Sequence, residues 1–213
     1  MASSMIHLAV ANELNKKLKR YPNKLFIGSI APDLSKLVGE DKTRSHFTTQ
    51  NLDDIPDLDK FLNKYSYFLN DDFVLGYYIH LFTDYLWFKY FINDVYDEEK
   101  NLIYKLNGDV VNCHGEMAVM YIYNDYTSLN NDLINEYNMD LKIFYQPLPE
   151  FNNIIDEIPM DKINLIVDKA GIIVENAKKY KEFTFNMENV KNFVSLCVDI
   201  ISSNLIELGI LTD

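Results

Sequence analysis

Glycine and proline are scarce in this chain. Its 213 residues include seven Gly and six Pro, whereas sheet folds use both residue types in their many turns. The composition therefore favours long helices joined by short connections, and it predicts an all-α fold. Hydrophobic residues make up 48% of the chain, which is enough for one sizeable core, so we expect residues 1–213 to form a single domain.

Cysteines, basic clusters and a leader segment are also sparse or missing. Cys113 and Cys197 lie far apart among apolar residues, and this predicts free thiols in the core. The formal net charge is −12 and no run of Lys or Arg offsets it, which argues against duplex nucleic acid as a partner. The N-terminus has no basic region followed by an apolar segment, so we predict no secretory signal and a cytoplasmic location.

One stretch, residues 73–92, has the length and apolar character of a membrane span. Four residues interrupt it: His80, Thr83, Asp84 and Lys89. An aspartate in mid-membrane costs about 2.5–3.5 kcal/mol, so a helix buried in a protein core is favoured over a transmembrane segment. We therefore predict a compact multi-helix bundle around a long buried central helix, capped by Asp71 or Asp72 and ending near Asn93.

Apolar periodicity and turn residues predict the remaining elements. Ser4 is a candidate N-cap for the first helix, and Gly209 is a candidate stop for the last. Gly and Pro predict two irregular stretches, at residues 26–33 and 142–159. The predicted additional helices span residues 6–18, 58–69, 98–106, 110–123, 129–137, 162–179 and 187–208.

Histidine is rare, and its positions are informative. The four histidines, His7, His46, His80 and His114, all fall in the first 114 residues. His80 and Asp84 are four residues apart, so a helix places both side chains on one face. Because this helix is apolar all round, an ionised Asp84 needs a cation or strong hydrogen-bond donors beside it. Taken alone, the pair fits either a metal site or a buried hydrogen-bonded His–Asp pair.

Additional residues complete a possible metal site. Neutral imidazole and carboxylate groups are natural ligands of zinc, and Asp33, His46, His80 and Asp84 supply one set of them from two loops and a helix. His7 supplies a further nitrogen that could share Asp84 with a second metal ion.

Four motifs, taken in this order, resemble the zinc-dependent phospholipase C family, notably its short bacterial members without a signal peptide. The motifs are Ser4-x-x-His7, Gly28-Ser-Ile-Ala-Pro-Asp33, Ser45-His46-Phe47 and Gly76-x-x-x-His80-x-x-x-Asp84-x-x-Trp87. The resemblance therefore covers the part of the chain from Ser4 to Trp87.

The resemblance implies a role for each candidate residue. One zinc ion of the family is held by residues that correspond to Asp33, His46, His80 and Asp84. Asp84 would also bind a second zinc ion together with His7. The loop aspartate of the family is proposed to act as general base, and this role would pass to Asp33.

The third zinc site of the family is only partly represented. His114 is the candidate ligand, but Ala118 stands where a glutamate is expected four residues later, and Tyr90 stands where the family has an earlier histidine. We therefore expect one or two zinc ions, with His114 either binding a metal ion or orienting a ligand.

The resulting functional hypothesis is metal-assisted hydrolysis of a small phosphoester or a phospholipid head group, with Asp33 accepting a proton from the attacking water. One alternative is a nuclease-like phosphodiesterase, because single-strand-specific nucleases share the metal arrangement on a similar helical fold. Another is a non-enzymatic, metal-stabilised binding protein, which the incomplete third site favours. The substrate and the oligomeric state are left open.

Overall fold

The protein is mainly helical, as the composition predicts. A computed structural model describes residues 1–48, 55–175 and 182–212. The α-helices in these ranges are α1 (Ser4–Leu18), α2 (Pro22–Gly28), α3 (Leu34–Val38), α4 (Lys42–Ser45), α5 (Leu58–Tyr65), α6 (Asp72–Tyr90), α7 (Gly115–Glu136), α8 (Ile163–Glu175) and α9 (Met187–Glu207). Short 3-10 turns occur at Ala31–Asp33, Ser66–Phe68, Ile92–Asp94, Leu141–Tyr145 and Met160–Lys162.

Helix α6 is the predicted central helix. Its N-cap is Asp71, whose side chain accepts hydrogen bonds from the backbone N–H groups of Phe73 and Val74. It packs against α1, α2, α5 and α9, and residues 73–84 are all buried. No helix in the described part of the chain combines the length and hydropathy needed to cross a bilayer. The apolar run is thus explained by burial on all sides of one helix.

Two glycines allow α2 and α6 to approach each other closely. A Cβ atom on Gly76 would lie 2.1 Å from the Leu25 carbonyl oxygen, and one on Gly28 would lie 2.3 Å from the Phe73 carbonyl oxygen. Both distances are far below van der Waals contact, so a residue other than glycine would push the two backbones apart. This crossing places the segment after α2, which carries Asp33, against the middle of α6.

Buried apolar side chains from α1 to α9 form one continuous core. Cys197 belongs to it, and Cys113 belongs to a small second cluster with Ile103 and Ala118. Both cysteines are buried and free, as predicted.

A small sheet replaces the helix predicted at residues 98–106, and that prediction is wrong. Strands β1 (Tyr96–Asp97), β2 (Leu102–Tyr104) and β3 (Val110–Asn112) pair antiparallel in the order β1-β2-β3. The cause is the Asn107-Gly108 turn, in which Gly108 has a φ of +86°. An Asn-Gly pair between β-branched and aromatic residues is a strong hairpin signal.

The two helices predicted at residues 110–123 and 129–137 are instead β3 followed by one helix. Helix α7 begins at Gly115 and continues without a break to Glu136. The interval between the two predicted helices, residues 124–128, contains Asp125, which is buried. Its carboxylate accepts hydrogen bonds from the backbone N–H groups of Phe183 and Thr184 at 2.8 and 2.7 Å. A buried aspartate is therefore tolerated inside α7 because the C-terminal segment supplies its donors.

The other boundary predictions were mostly close. Ser3, not Ser4, caps α1 through a hydrogen bond from the Ile6 N–H. Part of the irregular stretch predicted at residues 26–33 lies in α2, which begins with Pro22 at its first position. The irregular stretch at 142–159 is confirmed apart from the 3-10 turn Leu141–Tyr145. The helix predicted at 162–179 corresponds to α8, described from Ile163 to Glu175, and residues 176–179 lie outside the described residues. Gly209 follows α9 with a φ of +69°, as expected of a helix stop.

Candidate metal centre

Five of the predicted site residues converge on one buried region. His80 and Asp84 lie in α6, and His7 lies in α1. Asp33 is in the 3-10 turn before α3, and His46 is the C-cap residue that follows α4. The side chains of His7, His80 and Asp84 are 0% exposed and that of His46 is 1% exposed, whereas that of Asp33 is 9% exposed. Asp33 is therefore the least buried of the five, and solvent comes nearest to the region at this residue.

The orientation of His80 is fixed by the backbone of the segment after α2. Its Nδ1 lies 2.8 Å from the Ser29 carbonyl oxygen. Because a carbonyl oxygen can only accept, Nδ1 carries a proton and donates. In a neutral imidazole the lone pair is then on Nε2. This atom lies 3.3 Å from His46 Nε2 and 3.3 Å from Asp84 Oδ2.

The orientation of His46 follows from a chain of hydroxyl groups. Its Nδ1 lies 2.9 Å from the Ser45 hydroxyl oxygen. The Ser35 hydroxyl donates to the Pro32 carbonyl, so it accepts from Ser45. Ser45 can also donate to the Lys42 carbonyl. Ser45 has a single hydroxyl proton, which these contacts direct to Ser35 or to the Lys42 carbonyl. His46 Nδ1 is then the donor to Ser45, and His46 Nε2 presents a lone pair to the site.

The first ligand group consists of Asp33, His46 and His80. His46 Nε2 lies 3.3 Å from His80 Nε2, 3.7 Å from Asp33 Oδ1 and 3.8 Å from Asp84 Oδ2. Zinc bonds of about 2.0–2.1 Å in a tetrahedron separate the ligand atoms by about 3.3–3.4 Å. These distances from His46 Nε2 are close to that edge length, so His46, His80 and Asp33, with Asp84 beside them, fit a tetrahedral cation.

The second ligand group consists of His7, His80 and Asp84. The His7 and His80 rings stack with their centroids 3.8 Å apart, and His7 Nε2 lies 3.3 Å from Asp84 Oδ1. The same Asp84 oxygen accepts a hydrogen bond of 2.8 Å from the Ala2 N–H. Asp84 thus presents one oxygen to His7 and the other to His80, the arrangement of a carboxylate shared by two metal ions.

Hydrogen bonding does not account for this arrangement. Among the described residues, neither nitrogen of His7 has a hydrogen-bond partner, and neither has Asp84 Oδ2. Buried polar atoms without partners are rare and call for an explanation such as an ion. The hypothesis of a hydrogen-bonded His–Asp pair is therefore the less satisfactory one, and the two groups could hold metal ions.

The charge states favour cation binding as well. Burial, and then the neighbouring His80, lower the pKa of His46 to about 3, and burial also lowers the pKa of His7. Burial raises the pKa of Asp84, but the adjacent His7 and His80 more than offset this and hold it well below its usual range. At neutral pH the site accordingly combines neutral imidazoles with an ionised carboxylate, the forms that bind metals.

Asp33 has a cationic neighbour that the motif analysis missed. Lys36 Nζ lies 2.7 Å from Asp33 Oδ1. Burial raises the pKa of Asp33, but Lys36 and the histidines outweigh it, and the net pKa is far below its usual range. Burial lowers the pKa of Lys36, and Asp33 in turn more than offsets that effect. The spacing of three residues at the start of a helix was the available signal for this pair.

Phe47, the last residue of the Ser45-His46-Phe47 motif, has a structural role beside the site. It has a φ of +56°, a conformation that costs a bulky residue about 1–3 kcal/mol and that is concentrated at functional sites. Its ring packs edge-on against Phe61 and Tyr77, and the Tyr77 hydroxyl donates to the Ser45 carbonyl at 2.5 Å. Packing on both sides thus fixes the backbone that carries His46.

His114 stands apart from the other candidates. It is the exposed residue that precedes α7, and it belongs to neither of the ligand groups found among the described residues. A metal-binding or ligand-orienting role for His114 remains a prediction.

Comparison of the chain with known protein families, with curated proteins and with solved structures finds no match. The resemblance to zinc-dependent phospholipases C therefore rests on the motifs, and it remains a hypothesis.

Proposed function

We propose that this protein is a zinc-dependent hydrolase of phosphoesters, similar in its chemistry to phospholipases C. The observation that supports the proposal best is the convergence of His46 Nε2, His80 Nε2 and both Asp84 oxygens on one buried region, with Asp33 as its least buried ligand residue. A catalytic site needs a path by which water and substrate reach the ligands, and in this proposal the path leads past Asp33.

The donor set favours zinc over the common hard cations. Three imidazoles and two carboxylates suit zinc, whereas calcium and magnesium prefer sites made of oxygen ligands. Asp33, His46, His80 and Asp84 would hold one ion, and His7 with Asp84 would contribute to a second. A bound zinc ion makes a coordinated water more acidic and offsets negative charge on a phosphoryl group.

The protein residues then have separate roles in this proposal. Ser29 and Ser45 fix the tautomers of His80 and His46, so that both present Nε2 to the site. Asp33 is the least buried ligand residue, and the family resemblance makes it the group that accepts a proton from an attacking water. The apolar surroundings of α6 exclude bulk water, which strengthens the electrostatic interactions inside.

A non-enzymatic, metal-stabilised protein is the second candidate. The burial of His7, His46, His80 and Asp84 supports it, because structural metal sites are enclosed by their ligands whereas catalytic sites keep a position open. This candidate predicts tight metal binding without turnover.

The test is hydrolysis of a chromogenic phosphodiester and a chromogenic phosphomonoester by the zinc-loaded protein. We expect turnover that a chelator abolishes and added zinc restores. Asp33→Asn should lower kcat by about 100-fold or more, the contribution of a general base. Asp168→Asn, which makes the same change on the exposed face of α8, is the control and should leave kcat unchanged. Full zinc occupancy without turnover on either substrate would reject the hydrolase in favour of the second candidate.

A further inference from the structure

Lys36 lies where solvent reaches the candidate metal centre. It is in the short helix α3, three residues after Asp33, and its side chain is 25% exposed. Among the five ligand residues, Asp33 has the most exposed side chain, at 9%. An incoming molecule that approaches the ligands from the side of Asp33 therefore passes the Lys36 ammonium group.

The contact of Lys36 with Asp33 leaves the ammonium group able to bind a second partner. The Asp33 oxygen next to Lys36 Nζ, Oδ1, is also the one that faces His46 Nε2 at 3.7 Å. A cation held by Asp33 and His46 would therefore share Oδ1 with Lys36. An ammonium group has three N–H donors, so donors remain for an anion that binds beside that cation.

The overall negative charge of the chain disfavours the binding of an anion unless a positive group such as Lys36 lies close to the site. The net charge of −12 repels an anionic substrate at long range. The site itself adds the carboxylates of Asp33 and Asp84. A lysine beside Asp33 provides a local positive charge. Lysine is a common phosphate ligand that acts as a point charge.

We infer that Lys36 binds a phosphoryl oxygen of the substrate and positions it beside the metal ligands Asp33 and His46. The inference rests on the proposed function, because it assumes that a phosphate group is the ligand. It assigns Lys36 a role in anion recognition, distinct from the metal-binding roles of the histidines and aspartates.

The first test measures the affinity of the zinc-loaded protein for inorganic phosphate by calorimetry, with bound zinc counted for every variant. A hydrogen bond to a charged group is lost in Lys36→Gln, so the dissociation constant should rise about 10- to 100-fold with the zinc count unchanged. Lys36→Arg keeps the charge and should retain most of the affinity. Equal phosphate affinity for wild type and Lys36→Gln would overturn the inference.

Lys16 provides a matched control. It forms an ion pair with Glu13 at the same spacing of three residues, but on the surface of α1 with 59% of its side chain exposed. Lys16→Gln should leave phosphate affinity unchanged. An equal loss in Lys16→Gln and Lys36→Gln would show a general charge effect and would count against a site at Lys36.

A second measurement uses the wild-type protein, so it does not depend on the folding or zinc content of a variant. Amine acetylation of the zinc-loaded protein is followed by mass spectrometry with and without saturating phosphate. Phosphate should slow the labelling of Lys36 and leave that of Lys16 unchanged. An unchanged rate at Lys36 would contradict the inference. Protection of Lys36 in a protein that shows no turnover would support anion binding while rejecting the hydrolase.

Discussion

At the scale of single residues, Asp84 is the carboxylate that lies beside histidines of both ligand groups. Its Oδ1 lies 3.3 Å from His7 Nε2 and its Oδ2 lies 3.3 Å from His80 Nε2. Among the described residues, neither nitrogen of His7 has a hydrogen-bond partner there, and neither has Asp84 Oδ2. Loss of Asp84 should therefore affect both metal ions, whereas loss of His7 should affect one.

Zinc titration of three variants tests this ranking. Asp84→Ala should lose all or most bound zinc, because in the proposed arrangement Asp84 is a ligand of both ions. His7→Ala should lose one of two ions. His114→Ala is the comparison, because the exposed His114 lies outside both groups. It should keep the wild-type zinc count at saturation, with affinity lowered by at most about 10–100-fold if it orients a ligand.

Two results would contradict the assignment. Equal zinc counts for wild type and Asp84→Ala would show that Asp84 is not shared. A zinc ion lost in His114→Ala alone would place the metal site around α7.

The types of ligand residue could be predicted from sequence, but their supporting contacts could not. A rare histidine four residues before an aspartate on an apolar helix already demands a partner for the charge. By contrast, the Ser29 carbonyl acts through its backbone, which carries no sequence signal. Lys36 was missed because a lysine near an aspartate is usually a solvated surface pair.

At the scale of elements, the crossing of α2 and α6 determines where the ligands lie. The crossing brings the Ser29 carbonyl to within 2.8 Å of His80 Nδ1. It is possible because Gly28 and Gly76 have no side chains at the contact. Packing of the two helices and orientation of a metal ligand are therefore one structural feature.

Substitution of one glycine tests this link. In Gly76→Ala the new Cβ atom would lie 2.1 Å from the Leu25 carbonyl oxygen, so the backbones must separate. We expect a loss of about 3 kcal/mol in the free energy of unfolding, near the upper end of overpacking costs. Zinc affinity should fall by about 10–100-fold as the Ser29 contact loosens. Denaturant unfolding and a zinc titration measure the two effects.

Gly115→Ala is the matched control for this prediction. Gly115 starts α7, and a Cβ atom there would contact nothing within 4 Å. The substitution should be neutral or stabilise the fold by up to about 1 kcal/mol. A Gly76→Ala protein as stable as Gly115→Ala would show that the crossing is not tightly constrained.

The prediction of elements succeeded where apolar periodicity was long and failed where turn chemistry prevailed. Helices α6 and α9 have extended apolar patterns with caps, and both were placed to within a few residues. The sheet at residues 96–112 was missed because its strands are only two or three residues long, too short for periodicity to identify. Asn107-Gly108 was the available signal.

At the scale of the whole molecule, the buried centre links metal binding to folding. A zinc ion that binds the folded state alone stabilises it by about 3–4 kcal/mol at concentrations of 100 to 1,000 times Kd. For a chain of this size each kcal/mol corresponds to about 2–4 °C in Tm. Chelation should therefore lower the Tm of the zinc-loaded protein by roughly 6–16 °C.

Differential scanning calorimetry with and without chelator measures this change. Chelator preloaded with zinc is one control, and Asp84→Ala with free chelator is another, because neither should shift Tm. An unchanged Tm for chelated wild type would indicate a surface site or none.

The metal-free protein should also lose stability in acid. Burial lowers the pKa of His46 from 6.5 to about 3, so between these values the unfolded chain binds a proton that the folded chain does not. Stability therefore falls as pH decreases from about 6.5 towards 3, and protonation of Asp33 and Asp84 in the unfolded state adds to the loss at the acid end.

Urea unfolding of the chelated protein between pH 7 and pH 4 tests this dependence. The exposed His114 lies outside the site, so His114→Gln should show the same decline as wild type. A stability that is constant over this range would contradict the burial of neutral imidazoles in the folded protein.

The most direct test of the metal centre is anomalous scattering at the zinc absorption edge from crystals of the zinc-loaded protein. We predict a peak within about 2.0–2.2 Å of His46 Nε2, His80 Nε2 and a carboxylate oxygen of Asp33 or Asp84, with a second peak near His7. Crystals that contain zinc only beside His114, or none at all in the buried region, would contradict the account.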